Sequence, residues 1–162
     1  MAGKIQNEIR QSKAFGSHSE EAVLNILRTS DVMTQLLTDL LKPFGLSPTQ
    51  YNVLRILRGA TGTGVCCREI GERLVTRDPD VTRLIDRLEK RNLLQRTREK
   101  GDRRFVTIQL TSCGLELVNQ LDYPIEKWNR KLMRNISSGD TKVLIELLER
   151  LREEFERFSQ AR

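Results

Sequence analysis

Two adjacent arginines, Arg103 and Arg104, follow a glycine and an aspartate in the stretch EKGDRRFVTIQLT, residues 99–111, just ahead of the apolar alternation Val106, Ile108, Leu110. Fixed cations at what reads as a hairpin tip suit an anionic partner. A guanidinium forks onto phosphate oxygens, or enters a narrow minor groove where negative potential is concentrated. Gly101 lets the tip turn tightly, and Asp102 can orient one neighbouring guanidinium. A second basic set lies upstream in DPDVTRLIDRLEK, residues 78–90. There Val81, Leu84, Ile85 and Leu88 recur at i, i+3, i+4 and i+7, which makes one helical face apolar. The opposite face presents Asp80, Thr82, Arg83, Asp86, Arg87 and Lys90. Arg83 on that face is placed to donate two hydrogen bonds to guanine O6 and N7. Asp80, an acid at a helix start, would cap the helix N-terminus or, against a nucleic acid, accept from a cytosine amino group, and capping is the favoured reading.

Other chemistries find little support. The single histidine, His18, lies in a polar N-terminal arm with no cysteine or carboxylate at ligand spacing, so neither a metal site nor a cofactor is expected. Scattered carboxylates without a nucleophile elbow or a convergent catalytic set argue against an enzyme. The glycine-rich GATGTG, residues 59–64, follows a helix rather than a strand and lacks the lysine of a phosphate-binding loop. The three cysteines, Cys66, Cys67 and Cys113, are too few and oddly placed for a disulfide framework. Cys66 and Cys113 are expected to be small buried hydrophobes. The alternative is redox sensing, because both stand at helix starts, a setting in which thiols become reactive.

At 162 residues the chain can bury about 70% of its unfolded surface in one core. Its 28 lysines and arginines against 22 acids give +6 and a pI near 9.5, which favours nucleic acid or another anionic surface. No signal-like run and no apolar segment of spanning length is present, so a cytoplasmic protein with no membrane partner is expected. The elements that must position the basic residues are then read from periodicity. An apolar stripe over 20–42 is closed by Pro43 and Gly45, and Ser47-Pro48 caps and starts a helix that runs to Gly59. A brief helix over 66–75 precedes a second one with Asp78 as N-cap and Pro79 as first residue, which together make a helix-turn-helix. Strands over 93–99 and 105–110 add a wing, with KGDRR as their turn. Two long helices follow, Leu115 to about Met133 and Thr141 to Phe158, with Ser137 or Ser138 to cap the last. The apolar stripe of the last helix needs a partner; the terminal helices bury best against each other and a second copy, the alternative being an intramolecular three-helix bundle.

Over residues 20 to about 158 the chain resembles the MarR family of bacterial winged-helix transcription regulators. The resemblance is carried by LSPTQYNVLRIL (46–57), DPDVTRLIDRLEKRNLL (78–94) and GDRRFVTIQLTSCG (101–114), in the family's order and spacing. It implies a mainly α (α+β) fold, a winged helix-turn-helix region over 46–112 flanked by dimerisation elements at 1–45 and 113–162, and an interlocked homodimer. It also implies a regulator of double-stranded DNA, expected to be a repressor on a palindromic operator. Residues 79–91 would lie in the major groove and the 100–104 wing along the minor groove. The DNA-facing set would be Arg77, Pro79, Asp80, Thr82, Arg83 and Arg87, with Asp102, Arg103 and Arg104 in the wing. Relatives bind small phenolic effectors between the dimer helices and the DNA lobe, which would place Phe44, Tyr51 and Trp128 in an effector pocket. Asp80 stands where the family more often has Ser or Thr, and Cys66 replaces a usual Ser or Thr. Two alternatives remain: a redox-sensing regulator of this fold using Cys113 or Cys66, and a winged helix that binds protein or RNA instead of duplex DNA.

Overall fold

The computed structural model describes residues 4–60, 64–98 and 106–160, and the chain divides into two units, residues 1–119 and 120–162. The first unit begins with a short helix α1, Lys4–Glu8, in the stretch read from sequence as a polar arm. Its Ile5 is buried. Helix α2, His18–Leu41, is capped by Ser17, whose Oγ accepts from the Glu20 amide at 3.1 Å. A single 3-10 turn, Lys42–Phe44, ends at Gly45 in the left-handed conformation, φ 65°, where a glycine avoids the Cβ clash. Helix α3, Pro48–Gly59, starts with a full capping box: Gln50 N–H donates to Ser47 Oγ at 3.2 Å and Ser47 N–H to Gln50 Oε1 at 3.0 Å.

Helices α4, Cys67–Arg73, and α5, Val81–Lys90, form the helix-turn-helix. The start of α5 differs from expectation. Asp78 is not the cap, because its Oδ1 accepts from the Asp80 amide at 2.8 Å and so holds a turn, leaving Pro79 in that turn outside the helix. Asp80 takes the capping role, its Oδ1 accepting from the Arg83 amide at 3.2 Å. Strands β1, Leu94–Arg98, and β2, Val106–Leu110, pair antiparallel with Leu94 opposite Leu110 and Arg96 opposite Ile108. Val65 bridges Ile108 through two backbone hydrogen bonds, 3.0 and 2.9 Å, so the chain entering α4 lies on the edge of the wing.

The core of this unit is made by α3 through Val53, Leu54 and Ile56, by Ile70 of α4, by Leu84, Ile85 and Leu88 of α5, and by Leu94, Ile108 and Val118. Each such side chain contributes roughly 1.5–3 kcal/mol on burial. Helix α6, Ser112–Gln120, closes the unit, and its Gly114 is buried beside the Leu93 carbonyl.

The second unit holds α7, Asp122–Met133, and α8, Ser138–Gln160. The continuous helix expected from Leu115 to Met133 is therefore two helices, broken at Leu121. Pro124 supplies the reason: it has no N–H for the carbonyl of Gln120, and its ring clashes there. Ser137 caps α8, its Oγ accepting from the Asp140 amide at 3.0 Å. Among the described residues no helix is long and apolar enough to cross a membrane.

Candidate nucleic-acid interface

Helix α5 is the most strongly two-faced element. Leu84, Ile85 and Leu88 fix it to the core, so 100° per residue dictates that Thr82, Arg83 and Arg87 point outward, and all three are exposed. Arg77 and Pro79 are exposed in the turn before it. Arg83 Nε lies 3.0 Å from Asp80 Oδ2, so the carboxylate that caps the helix also holds this guanidinium. The pair is largely exposed, 78% and 45% for the side chains, and so holds Arg83 weakly enough for a better acceptor to take it. Cys67 Sγ stands 3.8 Å from Thr82 Oγ1, which places a thiol at the foot of the outward face.

A residue that sequence reading passed over sits between helix and wing. Arg96 of β1 donates through Nη2 to Asp86 Oδ1 at 2.5 Å and through Nη1 to Glu89 Oε2, while its backbone N–H donates to Glu89 Oε1 at 3.2 Å. The bond to Asp86 raises the guanidinium pKa above its ordinary value, with Glu89 adding to it. The available signal was the strand alternation: Leu94 is buried, and Arg96 follows two residues later on the same face, where an apolar residue is the rule. A second unforeseen arginine, Arg91 at the end of α5, donates to the carbonyl oxygens of Gly45 at 2.5 Å and Phe44 at 3.2 Å.

Asp102, Arg103 and Arg104, with Gly101, lie outside the described residues; the strands that flank them are in place. Tyr51 is 5% exposed in the α3 core, under the Arg55 guanidinium at 5.8 Å from its ring centre. Phe44 is half-buried in the 3-10 turn, and Trp128 is half-buried in α7 with its Nε1 buried and bonded to nothing among the described residues. Trp128 belongs to the second unit and the other two aromatics to the first. A cleft of about 290 Å³ between α3 and β2, lined by Leu57, Arg58, Gly64 and Leu115 among others, includes none of the three. The expectation of buried cysteines is corrected: Cys66 and Cys113 are exposed and free, because each stands at the outer start of a helix, and Cys66 makes no side-chain cap bond. His18 is exposed in the first turn of α2, and no group of three or more potential metal ligands is found among the described residues.

Comparison with known proteins places this geometry. The sequence pattern described as "MarR family" matches residues 46–106. The HTH-type transcriptional regulator SarZ of Staphylococcus epidermidis is 34% identical over 113 residues, 69% of this chain and 73% of that one. A MarR transcription factor from Planctomyces limnophilus superposes with TM-score 0.65 at 38% identity, over 83% of this chain and 98% of that chain. The S. aureus MepR protein, solved as a DNA complex, has TM-score 0.73 at 21% identity, over 82% of this chain and 95% of that chain, and shares the fold.

Proposed function

This chain belongs to the MarR family and is a helix-turn-helix transcriptional regulator, not an enzyme, and from that premise we propose that it represses transcription as a homodimer on a palindromic operator. The observation that carries the reading is α5, anchored by three buried residues and presenting Thr82, Arg83 and Arg87 to solvent on a chain of net charge +6. In this reading α5 enters the major groove, with Pro79, Thr82 and Arg83 approaching bases or nearby phosphates, Arg77 and Arg87 near phosphates, and Asp80 at the interface as the helix cap that holds Arg83. The 100–104 wing follows the minor groove, with Arg104 entering it beside Asp102 and Arg103 on a phosphate. Apolar side chains left exposed on α2 (Val23, Leu27, Met33, Leu36) and on α8 (Val143, Ile145, Leu147, Phe155) support a second copy as partner. Twofold symmetry then requires half-sites about one helical turn, ~34 Å, apart. A small aromatic effector would release the DNA. Exposure of Cys66 and Cys113 favours a second reading in which oxidation does so instead.

The experiment is selection of duplexes from the source genome by the purified protein, followed by salt titration of the best site against single-stranded RNA. Binding to duplex that weakens steeply with salt supports the reading, and preference for RNA rejects it. Within that assay Arg83→Ala should lose ~1–3 kcal/mol on the operator and less on random duplex, since base readout is lost while phosphate contacts remain. An equal loss on both would reassign Arg83 to the backbone. Arg104→Ala should weaken operators with A·T-rich flanks more than G·C-rich ones, and Arg103→Ala should lower the salt slope by about one unit. Unaltered affinity of Arg104→Ala on both flanks would remove the wing from the minor groove.

A further inference from the structure

Helix α5 and the wing must meet DNA together, yet they are joined covalently only by the short turn Arg91–Leu93. That turn is tied back to the end of α5 by backbone hydrogen bonds, Asn92 N–H to Glu89 O at 2.8 Å and Leu93 N–H to Leu88 O at 3.1 Å, and side-chain chemistry carries the tie beyond the turn into the strand. Behind the turn, Leu88 and Leu94 pack into the core, which fixes depth but not rotation, because apolar contact is non-directional. Arg96 supplies direction. Its planar fork reaches two carboxylates one turn apart on α5, Asp86 and Glu89, and its own backbone N–H binds Glu89 as well. Three bonds from one strand residue to two helix residues leave little freedom in angle. The side chains are half-shielded, 32% exposed for Arg96 and 45% and 36% for the two acids, so the pairs are worth more than freely exposed ones.

We propose that Arg96, with Asp86 and Glu89, is the positioning clamp of the reading head, setting the angle between α5 and the wing so that both fit one duplex. The inference rests on the proposed DNA binding. Its distinctive feature is a sign. Asp86 and Glu89 are negative charges on the helix that faces DNA, and simple electrostatics says that removing them tightens binding to every duplex. As parts of a clamp, they should instead be needed for binding the right one.

The test compares the selected operator with random duplex for the full chain. In Asp86→Asn with Glu89→Gln, random-duplex binding should tighten while operator binding weakens. The ratio between them should fall about ten- to hundredfold, the equivalent of one lost bidentate base contact. Arg96→Lys, which keeps the charge but cannot fork, should lower the ratio by a smaller factor with an unchanged salt slope, whereas a loss of stability alone would leave the ratio intact. Operator and random binding tightening together in the double variant would overturn the clamp. So would an Arg96→Lys protein with the parent's ratio, or one whose salt slope drops by about one unit, which marks a phosphate contact. If the parent chain itself binds no duplex, the proposed function fails rather than the clamp alone.

Discussion

Gly114→Ala is expected to destabilise the first unit by about 3 kcal/mol or more, a large share of the ~5–15 kcal/mol that holds a typical domain. The sign is the informative part. A glycine inside a helix ordinarily gains about 1 kcal/mol on becoming alanine, because the unfolded chain loses freedom and the helix gains propensity. Here a Cβ would lie 1.8 Å from the Leu93 carbonyl oxygen and 2.8 Å from the Leu93 carbonyl carbon, both backbone atoms with no rotamer to yield. Nor can the helix start back away cheaply. Gly114 N–H donates to Thr111 Oγ1 at 3.0 Å, that hydroxyl donates to the Asn92 carbonyl at 2.6 Å, and the Thr111 amide donates to Leu93 O at 3.3 Å. The first turn of α6 is thus stitched to the turn that follows α5. Urea unfolding should show a lower midpoint at unchanged slope. A midpoint equal to or above the parent's would mean that α6 moves freely, and the close approach would have no energetic weight.

On the proposed homodimer, removing residues 138–162 should leave a monomer and weaken operator binding by about 10²–10⁴-fold, the avidity lost when two linked half-site contacts become one. Helix α8 exposes Val143, Leu144, Ile145, Leu147 and Phe155, each at least 40% accessible, a density of apolar surface that a solvated helix does not carry without a partner. The core of the first unit, from Ile5 to Val118, lies within residues 1–119, so the shortened chain is expected to stay folded. Sedimentation and a binding titration on full and half operators read the two effects separately. A truncated chain that still sediments as a dimer, or that binds the full site as tightly as the parent, would place the dimer contact elsewhere.

The parts of this fold that were legible in the sequence are those governed by neighbours a few residues apart. Val81, Leu84, Ile85 and Leu88 announce α5 and its outward face by spacing alone, and the Ser47 and Pro48 pair announces α3. Capping by Asp80 could be favoured beforehand because a helix N-terminus stabilises a carboxylate wherever it occurs. The placement of the preceding cap was missed because Asp78 and Asp80 compete for the same backbone, and only the turn geometry decides which one begins the helix. The break at Leu121 was in principle readable from Pro124, but the apolar periodicity on either side hid it. Arg96, Arg91 and Gly114 were not readable as a set, since each owes its role to partners on another element: Asp86 and Glu89, the Phe44 and Gly45 carbonyls, and the Leu93 carbonyl. Spacing can mark Arg96 as out of place on its strand face, but a long-range partner leaves no mark in local spacing.

The bridge between Val65 and Ile108 joins residues about forty apart in sequence, and both helices of the helix-turn-helix lie inside the loop it closes. Seen as an event in time, that closure cannot be early. The β1–β2 hairpin needs only local search and belongs to the class of steps completed in roughly 1–10 μs. Docking Val65 onto the hairpin edge carries the entropy of the whole intervening loop and is rewarded only after α4 and α5 have formed and packed. The segment proposed to read DNA is therefore expected to be enclosed late in folding. A nascent chain would expose α5 and its basic face before the bridge shuts, and competence to recognise an operator would arrive as one of the last steps rather than with the first turn of helix.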